Sequence, residues 1–89
     1  MKEVDLNFEL VNLDDAPIGN AGQLVANLLM SETKGDAVKF FDWAMTLNKK
    51  AAVQMDASDL TKLKALLAET EKVTLLAKAQ ILKYIETLK

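Results

Sequence analysis

Residues 4–10 alternate strictly: Val4, Leu6, Phe8 and Leu10 are apolar, while Asp5, Asn7 and Glu9 between them are polar. A period of two places the apolar set on one face of a half-buried strand, so the chain is expected to open with a strand over 4–10. Val11 and Leu13 then shift the apolar residues to the opposite parity, which marks a twist, a bulge or the strand's end. Asp14-Asp15-Ala16-Pro17-Ile18-Gly19-Asn20 carries turn chemistry: Pro17 fixes φ and Gly19 permits positive φ. A short return strand near 16–18 would complete a hairpin.

From Asn20 onward the period lengthens. Leu24, Val25, Leu28 and Leu29 recur at helical spacing and predict a helix over 21–31. Lys34-Gly35 interrupts the pattern, and Asp36 is suited to cap a second helix over 36–48, which Asn48-Lys49-Lys50 would end. Residues 51–55 read as a short additional strand. Asp56 or Ser58 then caps a third helix, striped by Leu60, Leu63, Leu66 and Leu67 and running to about Thr70. A fourth helix, over about 73–88 and capped by Thr70, carries Leu75, Leu76, Ile81, Leu82, Ile85 and Leu88. The expected architecture is a single domain over 1–89, α+β and mostly α. Its N-terminal strand or hairpin packs on about four short helices. The expected core comprises Leu6, Phe8, Leu28, Phe41, Leu63, Leu67, Ile81 and Ile85.

The second helix has more apolar arc than one stripe needs. Consecutive helical positions are about 100° apart, so Phe40, Phe41 and Trp43 cannot share one narrow face. Val38, Phe41 and Met45 form one side, and Phe40, Trp43 and Leu47 form the next. In the fourth helix Leu75, Leu82 and Ile85 lie on one side, with Ala77, Ile81, Tyr84 and Leu88 on another. A small domain has limited capacity to bury two wide faces on two helices. One reading of the surplus on the second helix is a helix buried between several neighbours. The sharper reading leaves an edge for a partner, with Phe40, Trp43, Leu47, Tyr84 and Leu88 as the protein-interface candidates and a homodimer or larger homo-oligomer expected.

Composition removes most catalytic chemistry. The 89 residues contain no histidine, no cysteine and no arginine; the 11 basic residues are all lysine, against 13 carboxylates. The ordinary neutral-pH proton shuttle, the thiolate nucleophile, the zinc–thiolate site and the bidentate anion clamp are all excluded. A net charge of −2, with the two signs interspersed, leaves no basic stripe for nucleic acid. The apolar runs are far too short to span a bilayer, and the charged opening Met1-Lys2-Glu3-Val4-Asp5 lacks the apolar core of a secretory signal. A cytoplasmic location is the expectation, and the cysteine-free sequence fits it.

Three constellations invite a site and each has a plainer reading. Asp14-Asp15 has the oxygen ligands a hard cation wants but no calcium-loop spacing, and it reads better as a solvated turn. Glu32, Asp36 and Asp42 lack a nucleophile, and Asp36 and Asp42, six residues apart, share no helix face; capping and exposure explain them. Gly19-Asn20-Ala21-Gly22 sits between strand and helix, as phosphate loops do, but has neither the GKS/T ending nor the GxGxxG spacing. No metal, no cofactor and no enzymatic activity are expected.

The opening Val4–Leu10, the stretch from Lys34 to Ala44 through Phe40-Phe41-Asp42-Trp43, and the closing Leu75-Leu76-Ala77-Lys78-Ala79-Gln80-Ile81-Leu82 together resemble small proteins encoded in tailed-phage and prophage genomes. The resemblance implies an accessory or assembly role, such as tail assembly, and supplies no catalytic residues. The alternative expectation is a small host adaptor that binds its partner by strand addition at the edge of the N-terminal strand.

Overall fold

The computed structural model describes residues 2–33 and 35–88. Its elements run β1 (Lys2–Val4), β2 (Glu9–Val11), β3 (Pro17–Asn20), α1 (Ala21–Ser31), α2 (Ala37–Asn48), β4 (Val53–Met55), α3 (Ala57–Glu69) and α4 (Leu75–Glu86). The class is α+β and mostly α, with short antiparallel strands packed on four helices.

The alternating segment does not form one strand. It is divided between two sheets: β1 pairs antiparallel with β4, Val4 opposite Val53, and β2 pairs antiparallel with β3, Leu10 opposite Gly19. The break is local hydrogen-bond chemistry. The Asn7 N–H donates to Asp5 Oδ1 at 3.0 Å, and the Phe8 N–H donates to the Leu6 carbonyl at 2.8 Å, closing a three-residue turn. The inward face nevertheless survives the bend. Val4, Leu6 and Leu10 are fully buried; Phe8 is half-buried, its ring 5.4 Å from that of Tyr84. The parity shift after Leu10 corresponds to a register irregularity between Leu10 and Val11, and the return strand is β3. The 51–55 segment supplies β4, the partner of β1.

Caps explain where each helix begins. Asn20, Asp36 and Asp56 each accept a backbone N–H three residues ahead, from Gln23, Lys39 and Asp59 respectively. The fourth helix corrects the expectation. Thr74, not Thr70, caps it, accepting from the Ala77 N–H, and Thr70 instead closes α3 through its N–H to the Leu66 carbonyl. Two threonines four residues apart offer the same capping chemistry, and the bend between them, where the Lys72 N–H binds Thr70 Oγ1, decides for the second.

One core joins the four helices with β1, β2 and β4. Leu6, Leu28, Leu63, Leu67, Ile81 and Ile85 are buried as expected, together with Leu10, Val25, Leu29, Val53 and Met55. Phe41 is the exception: it is 52% exposed. On α4 the buried side is Ala77, Ile81 and Ile85, while Leu75 stands exposed, so the expected Leu75/Leu82/Ile85 side is not a buried face.

The strand edges facing α4 are closed by two side chains one helical turn apart. Gln80 accepts the Val11 N–H through Oε1 at 2.9 Å and donates through Nε2 to the Val11 carbonyl at 2.7 Å, as a neighbouring strand would. The Asp5 N–H donates to the Tyr84 hydroxyl at 2.8 Å. Residues i and i+4 share a helix face, so a single register of α4 places both.

An uncharged helix face as candidate functional site

The interface candidates do not form a free surface. Trp43 is 6% exposed and Leu47 is fully buried, which places both in the core and corrects their reading as partner residues. Phe40 is half-buried and stacks on Trp43 with ring centroids 5.7 Å apart. Tyr84 and Leu88 are half-buried against the core. The two sides of α2 have exchanged roles. Phe40, Trp43, Ala44 and Leu47 are spaced i, i+3, i+4, i+7, a complete inward stripe that contains the largest side chain of the helix. Turning that side inward removes the most apolar area from water and leaves Val38, Phe41 and Met45 outside.

An ion pair lies beside the inward stripe. Lys39 Nζ lies 3.0 Å from Asp59 Oδ1 on α3 and 5.9 Å from the centre of the Trp43 ring. The hydrogen bond to Asp59 holds the Lys39 ammonium above its ordinary pKa, and the same bond from Lys39 holds the Asp59 carboxyl below its own. For Asp59 the depressed folded value means stability is present at neutral pH and lost as pH falls through the carboxyl range; for Lys39 the loss comes at high pH. Urea midpoints of the wild type should therefore exceed those of Asp59→Asn at pH 7. The gap should close below about pH 4. A gap that widens with acid would remove the ion pair from the account.

What α2 leaves outside is a stripe of its own. Val38 is 72% exposed, Phe41 52% and Met45 44%, and Asn48 follows, also exposed. Positions 38, 41, 45 and 48 are spaced 3-4-3, the repeat by which one helix seats against another. Met30 of α1, 48% exposed, lies beside them. A shallow depression of about 200 Å³ between the helices is lined by Ala26, Asn27, Met30, Phe41, Ala44 and Met45, with Asn48 at one end. The face is almost without charge. Helix α1 contains no ionisable side chain, and α2 has only Lys39, engaged with α3, and Asp42, exposed at the flank of the stripe.

The other sequence candidates resolve into structure. Asn12 Oδ1 accepts from the Asp14 and Ala16 N–H groups, shaping a turn whose Asp15 has φ 61°. Glu32 pairs with Lys72 at 3.0 Å. Gly22 is there for close approach: a Cβ would meet the Leu47 carbonyl oxygen at 3.2 Å and the Leu6 carbonyl oxygen at 3.3 Å. Among the described residues no three potential metal-ligating side chains converge, and no helix is long and apolar enough to cross a membrane.

Compared with known proteins, the chain matches no protein family, no curated protein and no solved structure.

Proposed function

We propose that this protein works by binding another protein, without catalysis, and that a helix of the partner docks on the α1–α2 face. One observation carries the reading: Met30, Val38, Phe41 and Met45 remain 44–72% exposed in a contiguous region that lacks the charge found on α3 and α4. Interface cores are enriched in Met and aromatic residues and depleted of charge, and the 3-4-3 spacing suits a helix as the ligand. An assembly role of the kind implied by the phage resemblance, in the cytoplasm, would use this face, and self-association is its simplest form. Strand addition draws less support, because Gln80 and Tyr84 already occupy backbone groups at Val11 and Asp5.

The test is photocrosslinking in the source cell from single positions on two faces. Probes at 41 and 45 should yield discrete protein adducts, while probes at the exposed Lys62 and Glu69 of α3 should not. Adducts from α3 alone, or none from α2, would remove the reading.

A further inference from the structure

We infer that Met30 and Met45 form a reversible oxidation site, at which sulfoxide formation by a peroxide switches off docking on the α1–α2 face. The inference rests on the protein-binding reading and names a regulation for that same surface, whatever partner covers it.

The placement of sulfur carries it. The chain has four methionines and no cysteine, so no thiol competes with the thioethers for an oxidant. Met55 is fully buried in the core, and Met1 lies outside the described residues. The other two are open to solvent: Met30 is 48% exposed on α1 and Met45 44% exposed on α2. Both line one depression of about 200 Å³, together with Phe41 and Ala44. Among the described residues, then, both exposed methionines stand on the one surface that lacks charge and keeps its apolar side chains in water.

The step is a two-electron oxygen transfer to sulfur. The thioether attacks the outer oxygen of a peroxide; the O–O bond breaks, an S–O bond forms, and water leaves when the oxidant is hydrogen peroxide. Sulfur is oxidised to the sulfoxide and the peroxide is reduced. A dithiol-dependent sulfoxide reductase reverses the step, the oxygen leaving as water while the dithiol becomes a disulfide.

The consequence for binding follows from where the new oxygens stand. A sulfoxide is polar where the thioether was apolar and adaptable. On the free protein water solvates it, and neither side chain belongs to the core, so the fold persists. In a docked contact the oxygen loses that water, and a buried acceptor without a donor weakens the contact. Docking and oxidation also exclude each other, since a helix seated on the depression shields both thioethers.

All 11 basic residues are lysine, and cleavage after lysine puts Met1, Met30, Met45 and Met55 on four separate peptides, so mass spectrometry follows each methionine independently. In the native protein under dilute hydrogen peroxide, Met30 and Met45 should gain oxygen about tenfold or more faster than Met55, with the helical circular dichroism unchanged. A rate at Met30 or Met45 as slow as that at Met55 would overturn the site. The switch is tested with a photocrosslinker at position 41 in the source cell. Peroxide should lower its adduct yield about tenfold or more in the wild-type background. The yield should hold in Met30→Leu/Met45→Leu, which keeps the face apolar without sulfur. Adducts that survive oxidation, or that fall equally in the leucine variant, would overturn the switch and leave the binding reading standing. An absence of adducts before peroxide is added would remove the binding reading and the switch with it.

Discussion

Trp43→Ala should destabilise the domain by about 3–5 kcal/mol, the range for deleting a large buried aromatic. Trp43 lies in the core, stacked on Phe40 and covered on another side by Lys39, so truncation opens a cavity and removes a partner from both neighbours. Phe41→Ala, two residues earlier on the same helix, should change stability by less than about 1 kcal/mol, since half the ring is already in water. Urea denaturation of the two variants at a concentration below any self-association checks the contrast. Because small domains hold roughly 5–10 kcal/mol in total, Trp43→Ala should sit close to unfolding at room temperature. Equal losses from the two variants would mean that α2 is rotated from the orientation described.

Gln80→Ala should cost about 2–3 kcal/mol, an unusual sum for one half-buried amide. The side chain satisfies both backbone groups of Val11, and its removal strands a donor and an acceptor at the seam between the hairpin and α4. Each unsatisfied group at a partly buried position costs about 1–3 kcal/mol, reduced where water reaches it. The effect is local as well as global: the Val11 amide should exchange with solvent much faster in Gln80→Ala than in the wild type, ahead of the core helices. Gln80→Glu keeps the acceptor and loses the donor, so it should recover protection of the Val11 N–H but only part of the stability. Unchanged exchange at Val11 in Gln80→Ala would show that the amide clamp does not hold the edge.

Much of this fold is legible in the sequence because its signals are local. Caps at Asp36 and Asp56 and the periods of α1 and α3 depend on neighbours within one helical turn. The 4–10 segment illustrates the limit. Its alternation correctly places Val4, Leu6 and Leu10 inside, but a turn at Asp5–Phe8 sends the two halves to different partners. Alternation reports a face and is silent about which strand lies alongside. The edge clamp at Gln80 is likewise invisible, since its bonds cross 69 residues of sequence.

The candidate site shows the harder case. The sequence displays two apolar sides on α2 and shows that one core cannot absorb both, which is a sound inference. It does not say which side turns inward, because that choice is made by packing against α1 and β4, with the Lys39–Asp59 pair reaching α3. Reading the Trp43 side as the surplus one is the opposite of the burial observed, where Trp43 and Leu47 are buried and Val38, Phe41 and Met45 are exposed. Two signals point the other way: the 3-4-3 spacing of Val38, Phe41, Met45 and Asn48, and the absence of charge along the whole of α1. Read together, they identify a neutral surface made by two helices rather than a surplus stripe on one.

The proposed binding surface is the neutral α1–α2 face, and a dilution series followed by amide-resolved NMR tests it most directly. On raising the protein concentration, shifts should appear at Asn27, Met30, Val38, Phe41, Met45 and Asn48, with the amides of β3, α3 and α4 unmoved. Shifts centred on Ile18 and the outer edge of β3, or on Tyr84 and Leu88, would contradict it.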